Sequence, residues 1–329
     1  MKKAFFAIAL LCAFLLLTGC GDNYADDVSY AMGSTVTQKI FGGSNDTKLK
    51  VRDAIMALEN EISYRKNDSL VYRLDSGETV SDEDLVRLLE SAVALSEETD
   101  GVYDITVLPV VLLWGFDGDT SSYRLPTENE IAKLLSKVDY RSIKIENGKA
   151  HLENGAACDL SAVGKGEACG KAVEIYKADG VTGAIITVGG SVGVYGKKDD
   201  GSLFTVGVRD PFSKNDLIGT LKLTDKFIST SGSYEKYFTQ NGKQYHHLLD
   251  ATTGYPAETG LVSVTVVCDD GGESDSLASA CFCVGMEKSL EILKNHSADA
   301  VFITNDGKIY ITPGLDGIFD AEAFEVIGK

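Results

Sequence analysis

Helical apolar stripes and short β-branched runs are interspersed along this chain in no regular strand–helix–strand order, and that irregularity limits its possible folds most. Val51, Ile55, Leu58 and Ile62 recur at the spacing of one face of an amphipathic helix. Ser81 with Asp84 predicts the start of a second helix, with Leu85, Leu88, Leu89, Ala92 and Leu95 on its apolar side. Thr127 with Glu130 forms a capping box ahead of Ile131, Leu134, Leu135 and Val138. β-branched residues dominate 141–146, 184–188, 203–209, 217–223 and 261–267, which predicts strands. Residues 301–304 and 309–312 flank Asn305, Asp306 and Gly307, a hairpin signal. The expected class is α+β, with mixed, largely antiparallel sheets packed with helices. No dinucleotide fingerprint or P-loop supports a doubly wound nucleotide fold.

The first twenty residues bear on compartment. Lys2 and Lys3 precede an uninterrupted apolar run over 4–17, too short to span a bilayer and flanked like a secretory signal. Leu17-Thr18-Gly19-Cys20 resembles a bacterial lipobox, in which the cysteine becomes the acylated first residue. The plainer alternative is an ordinary signal peptide with an incidental cysteine. The expected organisation is a signal peptide over 1–19, a tether over 20–29 that is polar from 22, and one domain over 30–329. Lipidation at Cys20 would place the protein on the exported side of a bacterial cell envelope, anchored to the membrane by acyl chains.

The formal charge is −18, and it becomes more negative once Lys2 and Lys3 leave with the signal. An acidic surface of that size argues against nucleic acid and anionic lipid as partners. A phosphate ligand remains compatible, since one divalent cation reverses the local field. Cys158, Cys169, Cys268, Cys281 and Cys283 lie in apolar contexts without metal-ligand spacing to histidines, so they are expected as small core residues.

Four segments carry candidate chemistry. In the first, Asp159 to Ala168, two glycines bracket Lys165 and lead into a helix. Free amides and a lysine there suit an anion, though a plain glycine-rich start to a helix has the same look. The second has paired glycines, Gly189 and Gly190, after a strand, which allow close approach of a ligand or another backbone. The third holds His246 and His247. Neighbours on a strand point to opposite faces, so two readings stand: one serves as a general base while the other faces away, or both are hydrogen-bonded structural imidazoles. In the fourth, Asp275 and Ser279 lie one helical turn apart, a hard oxygen pair suited to Mg²⁺; an acidic residue favoured by the helix dipole is the alternative.

The order of these segments is more telling than any one of them. Met32-Gly33-Ser34-Thr35, then Asp100 through Val107, then Leu113-Trp114-Gly115-Phe116, then the four blocks above, closely resemble the FAD:protein FMN transferase (ApbE) family from Met32 onward. The resemblance implies a flavin transferase fold of the ApbE or T-fold-like kind. It also implies an enzyme that cleaves FAD, joins FMN to a Thr or Ser hydroxyl of an exported or membrane redox protein, and releases AMP. By motif position it implies FAD contacts at Met32, Tyr64, Val102, Tyr103, Asp104, Asp159, Lys165 and Leu249. It implies Mg²⁺ ligands at Asp275, Ser279 and the Ala162 carbonyl, and places His247 near the attacking hydroxyl. Ser279 stands where the family usually has Thr, and Ala162 where it has Gly or Thr; both keep the donor oxygen. Two further outcomes stay open: an FAD pyrophosphatase releasing FMN and AMP, and a flavin-binding lipoprotein without turnover.

Overall fold

A computed structural model describes residues 24–213 and 215–328. The expected signal peptide and Cys20 lie outside these residues. Eight α-helices are described: α1 (Asn45–Ile62), α2 (Leu70–Asp75), α3 (Glu83–Glu98), α4 (Leu108–Trp114), α5 (Glu128–Leu135), α6 (Ser161–Ala178), α7 (Gly271–Val284) and α8 (Met286–Asn295). Val51, Ile55, Leu58 and Ile62 are the buried stripe of α1, as their spacing predicts. The capping box of α5 forms with both arms made. Helix α3 starts one residue later than Ser81 suggests, because the Asp82 carboxylate takes the Leu85 N–H at 2.9 Å.

Among the described residues, nine strands build one sheet. They are Tyr24–Ala31, Ser34–Phe41, Gly183–Val188, Ser191–Gly196, Lys226–Gly232, Leu261–Cys268, Asp299–Thr304, Ile309–Ile311 and Glu325–Val326, side by side in chain order. Every neighbouring pair is antiparallel except the last, which is parallel. The α+β expectation is met. Leu261–Cys268 is buried along its whole length, because layers cover both faces of the sheet there. Val264 and Val266 join the helix-side core with Ala168, Ala172, Leu277 and Ala278 of α6 and α7. On the other face Val267, Val301 and Ile303 pack against Val206, Leu221 and Phe319 of a three-stranded sheet. A third cluster gathers Val110, Trp114, Phe116, Ile131 and Leu249.

The tether expected over 20–29 is corrected from Tyr24 onward. Tyr24–Ala31 is an edge strand paired with Ser34–Phe41, from Tyr24 opposite Phe41 to Ala31 opposite Ser34. The turn between them runs through Met32 and Gly33 at φ 55° and 66°. Asp26, Asp27 and Ser29 made the segment look solvated, and solvation of one side is what an edge strand carries. The five cysteines from Cys158 onward are buried thiols outside any disulfide, matching their expected core role.

His296, capping α8, ties three helices together: Nδ1 lies 2.5 Å from Glu273 of α7 and Nε2 3.2 Å from Glu98 of α3. The hydrogen bond to Glu273, helped by Glu98, holds the imidazole above its usual value against an opposing desolvation. A raised folded-state pKa stabilises fully below the unfolded value near 6.5 and fades as pH climbs through the folded value. Urea unfolding of His296→Gln is therefore expected to show a larger deficit against wild type at pH 6 than at pH 9. Because the groups are partly exposed, the deficit stays below about 1 kcal/mol.

Candidate active site

The site is built by a glycine contact between α6 and α7. A Cβ on Gly166 would lie 1.9 Å from the Gly271 carbonyl oxygen, and one on Gly271 would lie 2.2 Å from the Gly166 oxygen. Only two glycines let the backbones meet this closely. The glycines around Lys165 therefore sit inside α6, which already begins at Ser161, and do not precede it as the sequence suggested. Gly164 plays a similar part on another side, where a Cβ would meet Ile62 and the Met32 methyl, each at 2.8 Å. Met32 is thereby placed against α6.

One turn beyond Gly271, Asp275 is 4% exposed. Its Oδ2 accepts the Gly166 N–H at 3.0 Å and lies 4.0 Å from Lys165 Nζ; its Oδ1 takes only a 3.3 Å contact from Ser191 Oγ. The helix bearing Asp275 thus meets α6 at Gly166, four residues after Ala162. The first-turn acidic residue of α7 is Glu273, so helix-dipole placement does not account for Asp275. One turn further, Ser279 Oγ is 3.0 Å from Ser231 Oγ on Lys226–Gly232, and Ser274 pairs with Ser229 at 2.8 Å. Among the described residues no three His, Cys, Asp or Glu side chains gather as a metal cluster. The oxygens that would serve are the buried, thinly bonded Asp275 carboxylate, the Ser279 hydroxyl one turn on and the Ala162 carbonyl. That hard-oxygen set fits Mg²⁺, which needs few protein ligands.

Around this core lie the other expected residues. The Tyr103 hydroxyl is buried beside Ser276 Oγ, which donates instead to Gly272 O at 2.9 Å; burial raises its pKa, Ser276 opposes the rise, and Asp275, Asp104 and Asp159 add to it. Asp159 takes the Ser161 N–H at 2.8 Å, while its own N–H donates to Ile105 O at 2.7 Å. Burial raises Asp104, but its oxygens are already engaged, by Thr106 N and Oγ and by Tyr140 N, all at 2.7 Å. Asp104 thus holds the 102–106 loop, whose Val102 carbonyl accepts the Ala251 N–H at 3.0 Å. Leu249 is a buried wall of the third cluster, and its carbonyl accepts the Cys283 thiol at 3.6 Å. Burial raises the Tyr64 phenol, aided by Asp159, with the Arg65 guanidinium 4.9 Å from the ring centre.

The two histidines diverge. His246 stacks edge-on against Phe282 at 5.4 Å and is pushed down to about 4 by burial. His247 is pushed down to about 3 by burial, then by Lys236, His246 and Lys165. Its N–H donates to Lys236 O at 3.0 Å, and its buried Nδ1 has no partner. Only His247 answers to the lysines of the site.

A sequence model described as the ApbE family matches residues 32–302. The chain belongs to the ApbE family. It is 27% identical to the FAD:protein FMN transferase of Escherichia coli (strain K12), covering 95% of this chain and 96% of that one. It is 29% identical to the FAD:protein FMN transferase of Treponema pallidum (strain Nichols), over 78% and 76% of the two chains. The crystal structure of the ApbE protein from Thermotoga maritima superposes with a TM-score of 0.83 at 29% identity, covering 90% of this chain and 99% of that chain. The apo flavinyl transferase ApbE of Pseudomonas stutzeri gives 0.79 at 27%, covering 92% and 98%. The ApbE flavin transferases thus share this arrangement of helices and sheets, and the relatives are enzymes of flavin transfer.

Within this ApbE site, Arg65, Lys236 and Ser191 are groups that sequence reasoning passed over. Arg65 directly follows Tyr64 and Lys236 precedes His246 by ten residues, but the turn that joins them, at Phe116 and Asp117, is far away in the chain. Ser191 follows the paired glycines, whose weak signal hid a hydroxyl aimed at Asp275.

Proposed function

We propose that this protein transfers FMN from FAD onto a Thr or Ser hydroxyl of an exported or membrane redox protein, releasing AMP, with Mg²⁺ at Asp275, Ser279 and the Ala162 carbonyl. The observation that supports this is the α6–α7 glycine contact, which sets the Asp275 carboxylate on the Gly166 amide, four residues after Ala162 and near Lys165. A bound Mg²⁺ would supply charge neutralisation at the diphosphate. Lys165 adds a point charge from the neighbouring turn. The hydroxyl oxygen of the acceptor bonds to the FMN phosphorus, the bond from that phosphorus to the AMP phosphate oxygen breaks, and the hydroxyl proton passes to His247. Met32, Tyr64, Val102, Tyr103, Asp104, Asp159 and Leu249 supply the surrounding FAD surface. Lipidation of Cys20 would hold this chemistry at the exported face of a membrane, near membrane redox partners.

His247 departs from an ordinary imidazole. Held near 3, it is neutral throughout the physiological range but a weak base in the free protein. Burial is the main cause of the depression, and Lys236 and Lys165 add to it, so an arriving diphosphate dianion offsets the lysines' share and raises the basicity in part. The expected kcat/KM profile accordingly shows no acid limb between pH 6 and 7, where an unperturbed imidazole titrates. His247→Ala is expected to slow transfer by roughly 10²- to 10⁴-fold at saturating FAD; a wild-type rate would remove His247 from the mechanism.

The reaction class is tested by mass spectrometry of candidate acceptors after incubation with FAD and Mg²⁺. A mass gain equal to FMN on a Thr or Ser is the expected result. Free FMN and AMP with an unmodified acceptor would make the protein a pyrophosphatase, and intact FAD would make it a binding protein.

A further inference from the structure

The Leu113-Trp114-Gly115-Phe116 motif does nothing in the mechanism above, yet it is unusually fixed. Trp114 is fully buried, donates Nε1–H to Gly254 O at 2.8 Å, and stacks on Phe116 at 5.8 Å. Gly115 takes φ 79°, and a Cβ there would lie 2.0 Å from Ser122 O. The turn that follows is therefore held rigidly, and its consecutive carbonyls meet two cations from distant parts of the chain. Asp117 O accepts from Arg65 Nη2, and Phe116 O accepts from Lys236 Nζ at 3.4 Å.

We propose that Arg65 and Lys236, brought together by these two carbonyls, form a cationic clamp that binds a phosphate group of the dinucleotide substrate; this rests on the flavin-transfer function proposed above. Neither cation makes an ion pair among the described residues, and each head group is parked on a neutral carbonyl, with donors to spare. Desolvation depresses the Lys236 ammonium most, Lys165 and Arg65 add to the depression, and Asp159 and Asp117 oppose it. Lys165 already faces the Asp275 carboxylate at 4.0 Å, which leaves Arg65 and Lys236 as the cations whose mutual repulsion an anion between them relieves. Arg65 also lies over the Tyr64 ring, so the clamp borders the aromatic surface expected to meet FAD. The Lys236 carbonyl holds the His247 N–H at 3.0 Å, which fixes the clamp relative to the proposed base.

The test is FAD binding to the full protein with EDTA present, read by flavin fluorescence, for wild type, Arg65→Met, Lys236→Met and Lys236→Arg, each with its melting temperature. Inorganic pyrophosphate is titrated as a competitor. Each Met variant is expected to weaken FAD and pyrophosphate together by about 10- to 100-fold, the size of one lost charge-assisted hydrogen bond. Melting should be unchanged, and Lys236→Arg should recover most of the affinity. Met variants that bind both ligands as wild type does would overturn the clamp. So would a weakening confined to FAD, which would place the cations on the flavin, or a loss that tracks the melting temperature. A wild type that binds FAD neither with EDTA nor with saturating Mg²⁺ would sink the transferase proposal itself, and one that binds only with Mg²⁺ would overturn a clamp that acts without the metal.

Discussion

Replacing Asp275 with Asn is expected to reduce FMN transfer by roughly 10²- to 10³-fold or more with little change in melting temperature. The carboxylate is buried, and its contacts are one amide at 3.0 Å, a hydroxyl at 3.3 Å and the Lys165 amine at 4.0 Å. Asn is nearly isosteric and keeps an oxygen for the Gly166 N–H, so the α6–α7 contact survives. What it loses is the negative charge that would hold a hard cation and balance Lys165. Ala is a poorer test, because it also leaves a cavity at a helix crossing. The measurements are single-turnover transfer at saturating Mg²⁺ and a thermal melt. Transfer above a tenth of the wild-type rate in a well-folded Asn variant would take Asp275 out of the site.

The parts of the fold legible from sequence were those set by neighbours in the chain. The α1 stripe, the Thr127 and Glu130 capping box and the strand at 217–223 depend on local spacing and formed as predicted. The Asp275 and Ser279 pair was legible for the same reason, since one helical turn fixes their shared face. Legibility failed where meaning depends on a partner far away. Gly164 and Gly166 carry the same local signal whether they loosen a helix start or admit a second helix, and only Gly271, Ile62 and Met32 decide between them. Likewise Arg65 and Lys236 are ordinary surface cations in sequence, joined only by the carbonyls of Phe116 and Asp117. The strand Tyr24–Ala31 was hidden by its own acidic residues, because only pairing with Ser34–Phe41 distinguishes an edge strand from a tether.

Two glycines of α6 should respond to alanine with opposite signs. Gly170 has nothing within 4 Å of a built Cβ, so Gly170→Ala is expected to raise stability by about 0.5 to 1 kcal/mol, the usual gain of alanine over glycine in a helix interior. Gly166→Ala has the same propensity gain and a far larger penalty. Its methyl would sit 1.9 Å from Gly271 O, 2.7 Å from Gly271 C and 2.8 Å from Asp275 Cβ, and two of those three are backbone atoms that cannot rotate away. Relief requires α6 and α7 to separate. That costs typically 1 to 3 kcal/mol of overpacking and draws Asp275 off the Gly166 amide and away from the turn of Ala162. Gly166→Ala should therefore lower the melting temperature by several degrees and lose most transfer activity, while Gly170→Ala keeps full activity. Denaturant unfolding and the transfer assay on both variants decide it. Equal stability changes in the two would mean that the helices do not meet through these glycines, and the geometry that places Asp275 would go with them.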